Sequence, residues 1–288
     1  MSAAVPAFFG VYQAKTDRLL KQLLPGTGGP VERSMGYTLH APSKRVRPVL
    51  TMLAAELCGG TADHALPAAA AIECVHASSL ILDDLPEMDN APLRRGKPAN
   101  HVEFGEAIAI LAAFGLLNEA YAIIARSYEP ALGAKLAALL AEAIGGDGLI
   151  AGQAADLLAT EQKIDFELLE RIHRGKTGSL FNASAVAGSM TAGGDAASIA
   201  ALSAFAKNLG LAFQIIDDLL DVDGNPAETG KAIRTDARKT TFVSFSGIDG
   251  AHQLATELCQ AADRALAPFG RRADNLRELS AFVAARQT

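Results

Sequence analysis

Apolar residues recur at the three- and four-residue spacing of an α-helix along almost all of this chain. That periodicity leaves few folds open to it. The stretch "FFGVYQAKTDRLLKQLL" (8–24) reads as an amphipathic helix, and "PGTGGP" (25–30) breaks it. "RPVLTMLAAELCGG" (47–60) has proline near its start and glycine just past its end, the polarity of a helix. Further apolar stretches fall at about 64–84, 102–126, 131–145, 149–160, 165–189, 195–222 and 250–268, parted by short Gly/Pro/Asp segments. Several are apolar on most faces, which implies burial at the centre of a bundle. With no low-complexity linker and no shift in composition, the sequence predicts a single all-α domain over residues 1–288.

Composition supports that reading. Half of the residues are hydrophobic, tryptophan is absent, and alanine and leucine dominate. A formal net charge of −6 argues against a broad nucleic-acid surface. Cys58, Cys74 and Cys259 are odd in number and form no CxxC pair, so neither a disulfide framework nor a zinc site is expected. The pattern suits a reducing cytosol, and a cytoplasmic location is the expectation. The first residues lack a basic stretch of the kind that opens a signal peptide. The longest apolar run, Ala107–Leu117, stops at Asn118–Glu119, short of the roughly 18 residues of a membrane span. A soluble protein with no integral membrane segment is therefore expected.

Against this apolar background, "SSLILDDLPEMDN" (78–90) stands out: an apolar segment ends in Asp83, Asp84, Glu87 and Asp89. Carboxylates this close repel one another and resist losing water. Something positive must offset them, or they are merely solvated. Asp83 and Asp89, six residues apart, would lie on different faces of a continuous helix. Pro86 removes a backbone donor and biases Leu85 away from helical angles, so the helix is expected to end near Pro86, with the chain turning to bring Asp89 back toward Asp83.

A second knot lies in "FQIIDDLLDVDGN". Asp217 and Asp221 are four apart, on one helix face and about one turn from each other, with Asp218 beside them. Such pairs suit a hard divalent cation, and Mg²⁺ typically takes one or two protein carboxylates plus substrate phosphates. One acidic pair alone is usually a solvated face, but two, each after a long apolar segment, make a stronger case.

Basic residues flank both knots: Lys44, Arg45 and Arg47; Arg94 and Arg95; Arg174 and Lys176, with Thr177; Lys231; Arg238 and Lys239. Each could be a surface ion pair of little worth. Arginine and lysine also grip phosphate oxygens, which carboxylates reach only through a metal. Together the two sets specify a site for one or two diphosphates with Mg²⁺.

The sequence resembles the trans-prenyl diphosphate synthases of the isoprenoid synthase superfamily. "DDLPEMD" is similar to the first aspartate-rich motif, with a two-residue insertion, and "DDLLD" to the second. "KRVRP", "ECVHASSL", "RRGKPANHVEFGE", "AGQAADL", "KTGSLF", "GLAFQIIDDLLDV" and "TGK…DARKTTF" follow in the family's order, over about residues 40–270. The resemblance implies a helical bundle around a central apolar cavity, a homodimer, and Mg²⁺, as three ions bridging aspartates and diphosphate. It implies that Asp83, Asp89 and Asp217 bind the metal, with Asp84, Asp218 and Asp221 in the same acidic set. Lys44, Arg47, His76 and Arg95 match positions that bind isopentenyl diphosphate. Arg94, Lys176, Thr177, Gln214, Lys231 and Lys239 match positions that bind the allylic diphosphate. Gln153 and Asp156 match a "GQxxD" motif read as mainly supporting structure. Asp83, Asp89, Asp217, Lys176 and Arg94 are the residues expected to carry catalysis.

The chain departs from the family pattern at three places. Pro42–Ser43 stand where two glycines are frequent, Phe114 where an aspartate is usual, and Leu82 where a histidine often precedes the first knot. None deletes a metal ligand. Three rival readings fit the residues less well. A terpene cyclase has no need of a second diphosphate site; a non-catalytic partner subunit typically loses aspartates; a helical divalent-ion binder leaves the basic residues unexplained.

Product length follows from residues before the first knot. Ser78 and Ser79 lie five and four residues ahead of Asp83, about 6–7.5 Å along a helix axis. Family members that stop at fifteen carbons often carry a bulky aromatic at one of these positions. With serine at both, the tail must be stopped deeper, by Val75 or Ile72 on the same helix or Phe114 on a neighbour. Geranylgeranyl diphosphate is the favoured product, and farnesyl diphosphate the alternative.

Overall fold

The structure, a computed structural model, describes residues 5–160, 162–223 and 240–285. Helices α1 (Ala7–Leu23), α2 (Pro30–Leu39), α3 (Val46–Leu57) and α4 (Ala62–Asp83) come first. A short hairpin, β1 (Leu93–Arg94) and β2 (Lys97–Pro98), leads into α5 (Asn100–Phe104) and α6 (Glu106–Ser127). Then follow α7 (Pro130–Ile144), α8 (Leu149–Ala159), α9 (Phe166–His173) and a π-helical turn (Arg174–Gly178) that runs straight into α10 (Ser179–Thr191). Helices α11 (Ala196–Asp223), α12 (Phe242–Ala265) and α13 (Asp274–Ala284) complete the order. Among the described residues the hairpin is the only sheet, so the all-α expectation holds.

Most ends are dictated locally. Proline is the first residue of α2 and α7, where its missing N–H costs nothing. Thr61 caps α4 by accepting from the His64 N–H, and Asp165 caps α9 by accepting from the Leu168 N–H, each worth about 1 kcal/mol. The sequence pattern did not signal α2, which is short and half polar, nor the hairpin. The stretch 165–189 reads as one apolar segment, but the chain divides it at the π-helical turn.

Two hydrophobic clusters form the core. One gathers Leu50, Phe205 and Phe242, and the other Ile72, Leu116 and Leu136. Helices α4 and α10 serve both: α10 gives Phe181 and Ala185 to the first and Leu180 and Ala183 to the second. A helix feeding two cores must be apolar around most of its circumference, which is how both read in the sequence. Each fully buried Leu, Ile or Phe contributes about 1.5–3 kcal/mol.

Length and composition alone would let α4, α6 and residues 196–222 of α11 cross a membrane. This corrects the count of uninterrupted apolar residues, because an averaged window tolerates an occasional charge among alanines and leucines. Within the fold much of α4 and half of the α11 stretch are buried against other helices.

The arrangement brings particular ends together. Helix α10 packs on α3, α4 and α11, and the π-helical turn packs on α8 and α11. The C-terminal end of α4, the beginning of α10 and the last turns of α11 thereby come together at one end of the bundle.

Candidate active site

The first acidic knot sits where a carboxylate is least welcome. Helix α4 ends at Asp83, with Asp84 as its C-cap, and a helix C-terminus already carries partial negative charge. The chain turns as expected: the Asp89 N–H donates to the Asp83 carbonyl at 3.0 Å, and the Ala91 N–H to that of Asp84 at 3.2 Å. Asp89 is thus returned to the end of the helix it left.

Cations and amides answer the charge. Lys176 Nζ, on the π-helical turn, donates to Asp83 Oδ1 at 3.0 Å and to Asp156 Oδ2 at 2.9 Å. Gln153 Nε2 donates to the same Asp83 oxygen at 2.7 Å. Arg94 Nη2 lies 3.9 Å from Asp83 Oδ2. Arg94 also grips Asp84, Nε donating to both carboxylate oxygens at 3.0 Å and Nη2 bonding to Oδ1. Its placement follows from the hairpin. Arg95 and Gly96 both have positive φ, 54° and 74°, as a tight two-residue hairpin turn requires, and Arg94 pairs with Lys97 across it.

The π-helical turn joins this knot to the second. Thr177 Oγ1 donates to Gln214 Oε1 at 3.0 Å, and Gln214 Nε2 donates to Asp218 Oδ1 at 3.2 Å. Asp218 Oδ2 in turn accepts from the Phe242 N–H at 2.9 Å, which ties α11 to the start of α12. Glycines permit the close approach. A Cβ on Gly152 would sit 2.1 Å from the Lys176 nitrogen, and one on Gly210 would sit 3.2 Å from the Gly178 Cα. A π-helical turn at a functional site is a recurring device, since its widened ring redirects side chains that an α-turn would space evenly.

The structure separates the two members of each aspartate pair, which the sequence reading had grouped as metal ligands. Asp83 and Asp217 are half-buried, whereas Asp84 and Asp218 are 2% and 5% exposed and turned onto protein donors. Adjacent residues on a helix point about 100° apart, so the two members of each pair meet different surroundings. Asp84 is thereby tied to the hairpin and Asp218 to the start of α12. Burial pushes the Asp84 carboxyl above its ordinary range, against the pull of Arg94, and the charges of Asp83 and Asp89 add to the rise.

A second basic group lies on α3 and α4. Arg47, in the first turn of α3, has Nη1 3.4 Å from His76 Nε2 on α4, and its guanidinium lies over the Phe181 ring, 4.8 Å from the centroid. Burial first, then the charges of Arg47, Arg95, Arg94 and Arg45, hold the His76 imidazole neutral, well below the usual histidine range. Lys44 lines a cavity of about 540 Å³ beside the α2–α3 connection, with Gln13, Asp17, Lys21, His40 and Ser43. Lys231 and Lys239, and Arg238 with them, lie outside the described residues.

The chain-length residues are divided. Ser78 is buried, and its Oγ donates to the Ala113 carbonyl of α6 at 2.8 Å. Ser79 Oγ turns back to the His76 carbonyl of its own helix at 2.8 Å. Val75 and Ile72 are buried deeper in α4. Phe114 does not line the interior: it is 64% exposed on α6, whose inward positions are taken by Ala112, Ala113 and Leu116. Reading Phe114 as a pocket floor within the chain is thereby corrected, because one helical step from Ala113 carries it to the outer face.

Sequence reasoning undervalued Gln153 and Asp156. Three apart on α8, they share a face, and both reach the Asp83–Lys176 pair. The metal question turns on donor chemistry. Among the described residues no three or more His, Cys, Asp or Glu side chains converge into a cage. Half-buried oxygen donors at two helix ends, without such a cage, fit an ion that shares its shell with water and substrate phosphate, as Mg²⁺ does.

Acidic ends of α4 and α11 facing one another across a lysine-bearing turn, in an all-helical bundle, define the class as the isoprenoid synthase fold. Comparisons with known proteins agree. The family model described as "Polyprenyl synthetase" matches residues 30–265. The chain is 39% identical over 271 residues to a farnesyl diphosphate synthase from Geobacillus stearothermophilus, covering 91% of each chain. It is 41% identical over 263 residues to a chloroplastic geranylgeranyl pyrophosphate synthase from Capsicum annuum, covering 89% of this chain and 71% of the other. Among solved structures, an FPP/GFPP synthase from Zymomonas mobilis in its apo form superposes with a TM-score of 0.85 at 35% identity, covering 96% of both chains. The chain belongs to the polyprenyl synthetase family, and its enzyme class is that of the prenyl diphosphate synthases, which are prenyltransferases.

Proposed function

We propose that this protein is a Mg²⁺-dependent trans-prenyltransferase, folded as one domain, that condenses isopentenyl diphosphate with an allylic diphosphate and releases geranylgeranyl diphosphate. The observation that carries this reading is the hydrogen-bonded path from Asp83 through Lys176 and Thr177 to Gln214 and Asp218, which joins both acidic helix ends. A second basic group, Lys44, Arg47, His76 and Arg95, provides for the other diphosphate.

Each group has a task in the chemistry. Lys176 and Arg94 grip the oxygens of the allylic diphosphate as its C–O bond breaks and negative charge grows on the leaving group. Asp83, Asp89, Asp217 and Asp221 would hold Mg²⁺, in three ions by the family's habit. When bound, the metal supplies further stabilisation of the departing diphosphate. Arg47 and a neutral His76, able to donate one hydrogen bond, orient isopentenyl diphosphate so that its double bond attacks the allylic cation. A proton leaves the resulting cation for the released diphosphate, and a new C–C bond and double bond remain. Apolar helices keep out water that would quench the cation.

Serine at positions 78 and 79 favours the twenty-carbon product. Farnesyl diphosphate is the second reading, favoured by the tie between Ser78 and α6, which makes that serine a packing residue. The protein is also proposed to act as a cytoplasmic homodimer. Ile110, Leu111 and Phe114 make an uncovered apolar stripe on α6 that a second copy would bury. The test of the reaction is incubation with isotopically labelled isopentenyl diphosphate and each allylic diphosphate, with and without Mg²⁺. Prenyl transfer only when metal and both substrates are present is the expected result, and no product from any pair refutes the reading.

A further inference from the structure

Arg45 stands between two residues matched to isopentenyl diphosphate, yet its own side chain is taken up by protein acceptors. Its Nε donates to Asp17 Oδ1 of α1 at 2.9 Å, its Nη1 to Glu73 Oε1 of α4 at 2.7 Å, and its Nη2 to the Leu39 carbonyl at the end of α2 at 2.5 Å. The side chains of Arg45 and Glu73 are 3% and 4% exposed. The backbone is also unusual. Arg45 caps α3 in the left-handed region, with φ 49° and ψ 38°, a conformation that side chains with a Cβ adopt at a cost.

A buried charge and a strained backbone at one residue persist only where the surroundings hold them. Here the surroundings are three separate helices, and what they hold is the turn from Lys44 into Arg47. Glu73 lies one turn before His76 on α4, so the same carboxylate that fixes Arg45 belongs to the helix that presents His76 to Arg47. Ser43, which stands where glycine is frequent in the family, joins the arrangement. Its Oγ is 3.5 Å from Glu73 Oε1, and its carbonyl accepts from Gln13 Nε2 at 2.7 Å. The loop loses the freedom of glycine and gains ties to α1 and α4 in its place.

We propose that Arg45, braced by Glu73 and Asp17, is a positioning residue that sets the spacing of Lys44, Arg47 and His76 and so governs recognition of isopentenyl diphosphate. This rests on the assignment of these three residues to that substrate. Lysine cannot substitute, because a point charge on a flexible stem lacks the planar fork that reaches three acceptors at once.

The test is steady-state kinetics with each substrate varied in turn, on Arg45→Lys and on the double variant Arg45→Met with Glu73→Met. The double variant removes both charges together, which a fold tolerates far better than the loss of one. In both variants KM for isopentenyl diphosphate is expected to rise about tenfold, with KM for the allylic substrate and kcat within about threefold of wild type. Asp17→Asn, at the more exposed end of the network, is expected to give a smaller shift in the same constant. A folded Arg45→Lys enzyme with isopentenyl diphosphate KM within twofold of wild type overturns the inference, as do equal rises for both substrates. In each of those cases the synthase reading stands, because the wild type turns over. A wild type inactive on every diphosphate pair overturns both.

Discussion

Lys176 Nζ lies 3.0 Å from Asp83 Oδ1, across 93 residues of sequence. The pair is the hinge of the site. Its lysine comes from a π-helical turn, its carboxylate from a helix C-terminus, and both charges remain partly exposed. In the proposed reaction, phosphate oxygens arriving here would meet an ammonium already aimed at anionic oxygen, and a cation would meet a carboxylate already fixed by Gln153.

Both acidic knots are expected to be required for chemistry. Asp83→Ala and Asp217→Ala are each expected to lower turnover by at least about 10²-fold, the scale of losing one transition-state stabiliser. Circular dichroism should stay close to wild type. Chelation by EDTA should abolish activity, and Mg²⁺ should restore it. Near-normal turnover of either variant with Mg²⁺ present contradicts the assignment.

The two diphosphate sites should separate kinetically. Arg47→Ala is expected chiefly to raise KM for isopentenyl diphosphate, and Lys176→Ala that for the allylic substrate, each by about tenfold or more. Steady-state kinetics with each substrate varied in turn decides the matter, and matched effects on both substrates would refute the division of labour.

Gly152→Ala tests the placement of Lys176 without touching its charge. The new methyl group would fall 2.1 Å from the Lys176 nitrogen and 2.6 Å from the Gly175 carbonyl carbon. We expect a destabilisation of about 1–3 kcal/mol from overpacking and a loss of turnover of at least about tenfold. Chemical denaturation and initial rates measure the two effects, and a variant matching wild type in both would show that α8 yields freely.

His76 gives stability a pH dependence of known sign. Its folded pKa is held below the unfolded value near 6.5 by burial and by Arg47. The unfolded chain therefore binds a proton first, and the contribution is fully present above about pH 6.5 and lost as pH falls below it. One such group sets a limiting slope of about 1.4 kcal/mol per pH unit. Urea denaturation at pH 7.5, 6.5 and 5.5 should show a shallower loss for His76→Gln than for wild type. Parallel curves would mean that the imidazole takes its proton as readily in the fold as out of it.

Ser78→Phe places a ring where a buried hydroxyl now bonds to Ala113. Shorter products are expected, read by chromatography after dephosphorylation, with wild type giving twenty carbons. Unchanged products from the folded variant would show that position 78 is not the floor, and a fifteen-carbon wild-type product would favour the farnesyl reading.

How much of this was legible beforehand depends on the range of the forces involved. Helices α1, α3, α4 and α11 follow from apolar spacing and local breakers, which are properties of neighbouring residues. The turn after Asp84 follows from Pro86, and the pairing of acidic knots with basic segments follows from charges that cannot be buried unanswered. Those residue types pointed to a site for diphosphate and a divalent cation, and the resemblance to prenyl diphosphate synthases supplied the reaction. Distance across the fold was not in the sequence. Packing against α8 and α11, through Gly152 and Gly210, brings Lys176 to Asp83 and Thr177 to Gln214. Which aspartate of each pair stays more exposed was settled by the rotation of α4 and α11 on their neighbours, with Arg94 and the Phe242 N–H claiming the other. Phe114 shows the same limit: its apolar character was plain, but only the seating of α6 on α4 decided that it faces outward. Arg45 shows it from the other side, since a basic residue beside two positions proposed to bind phosphate reads as a third until Glu73, Asp17 and the Leu39 carbonyl close around it.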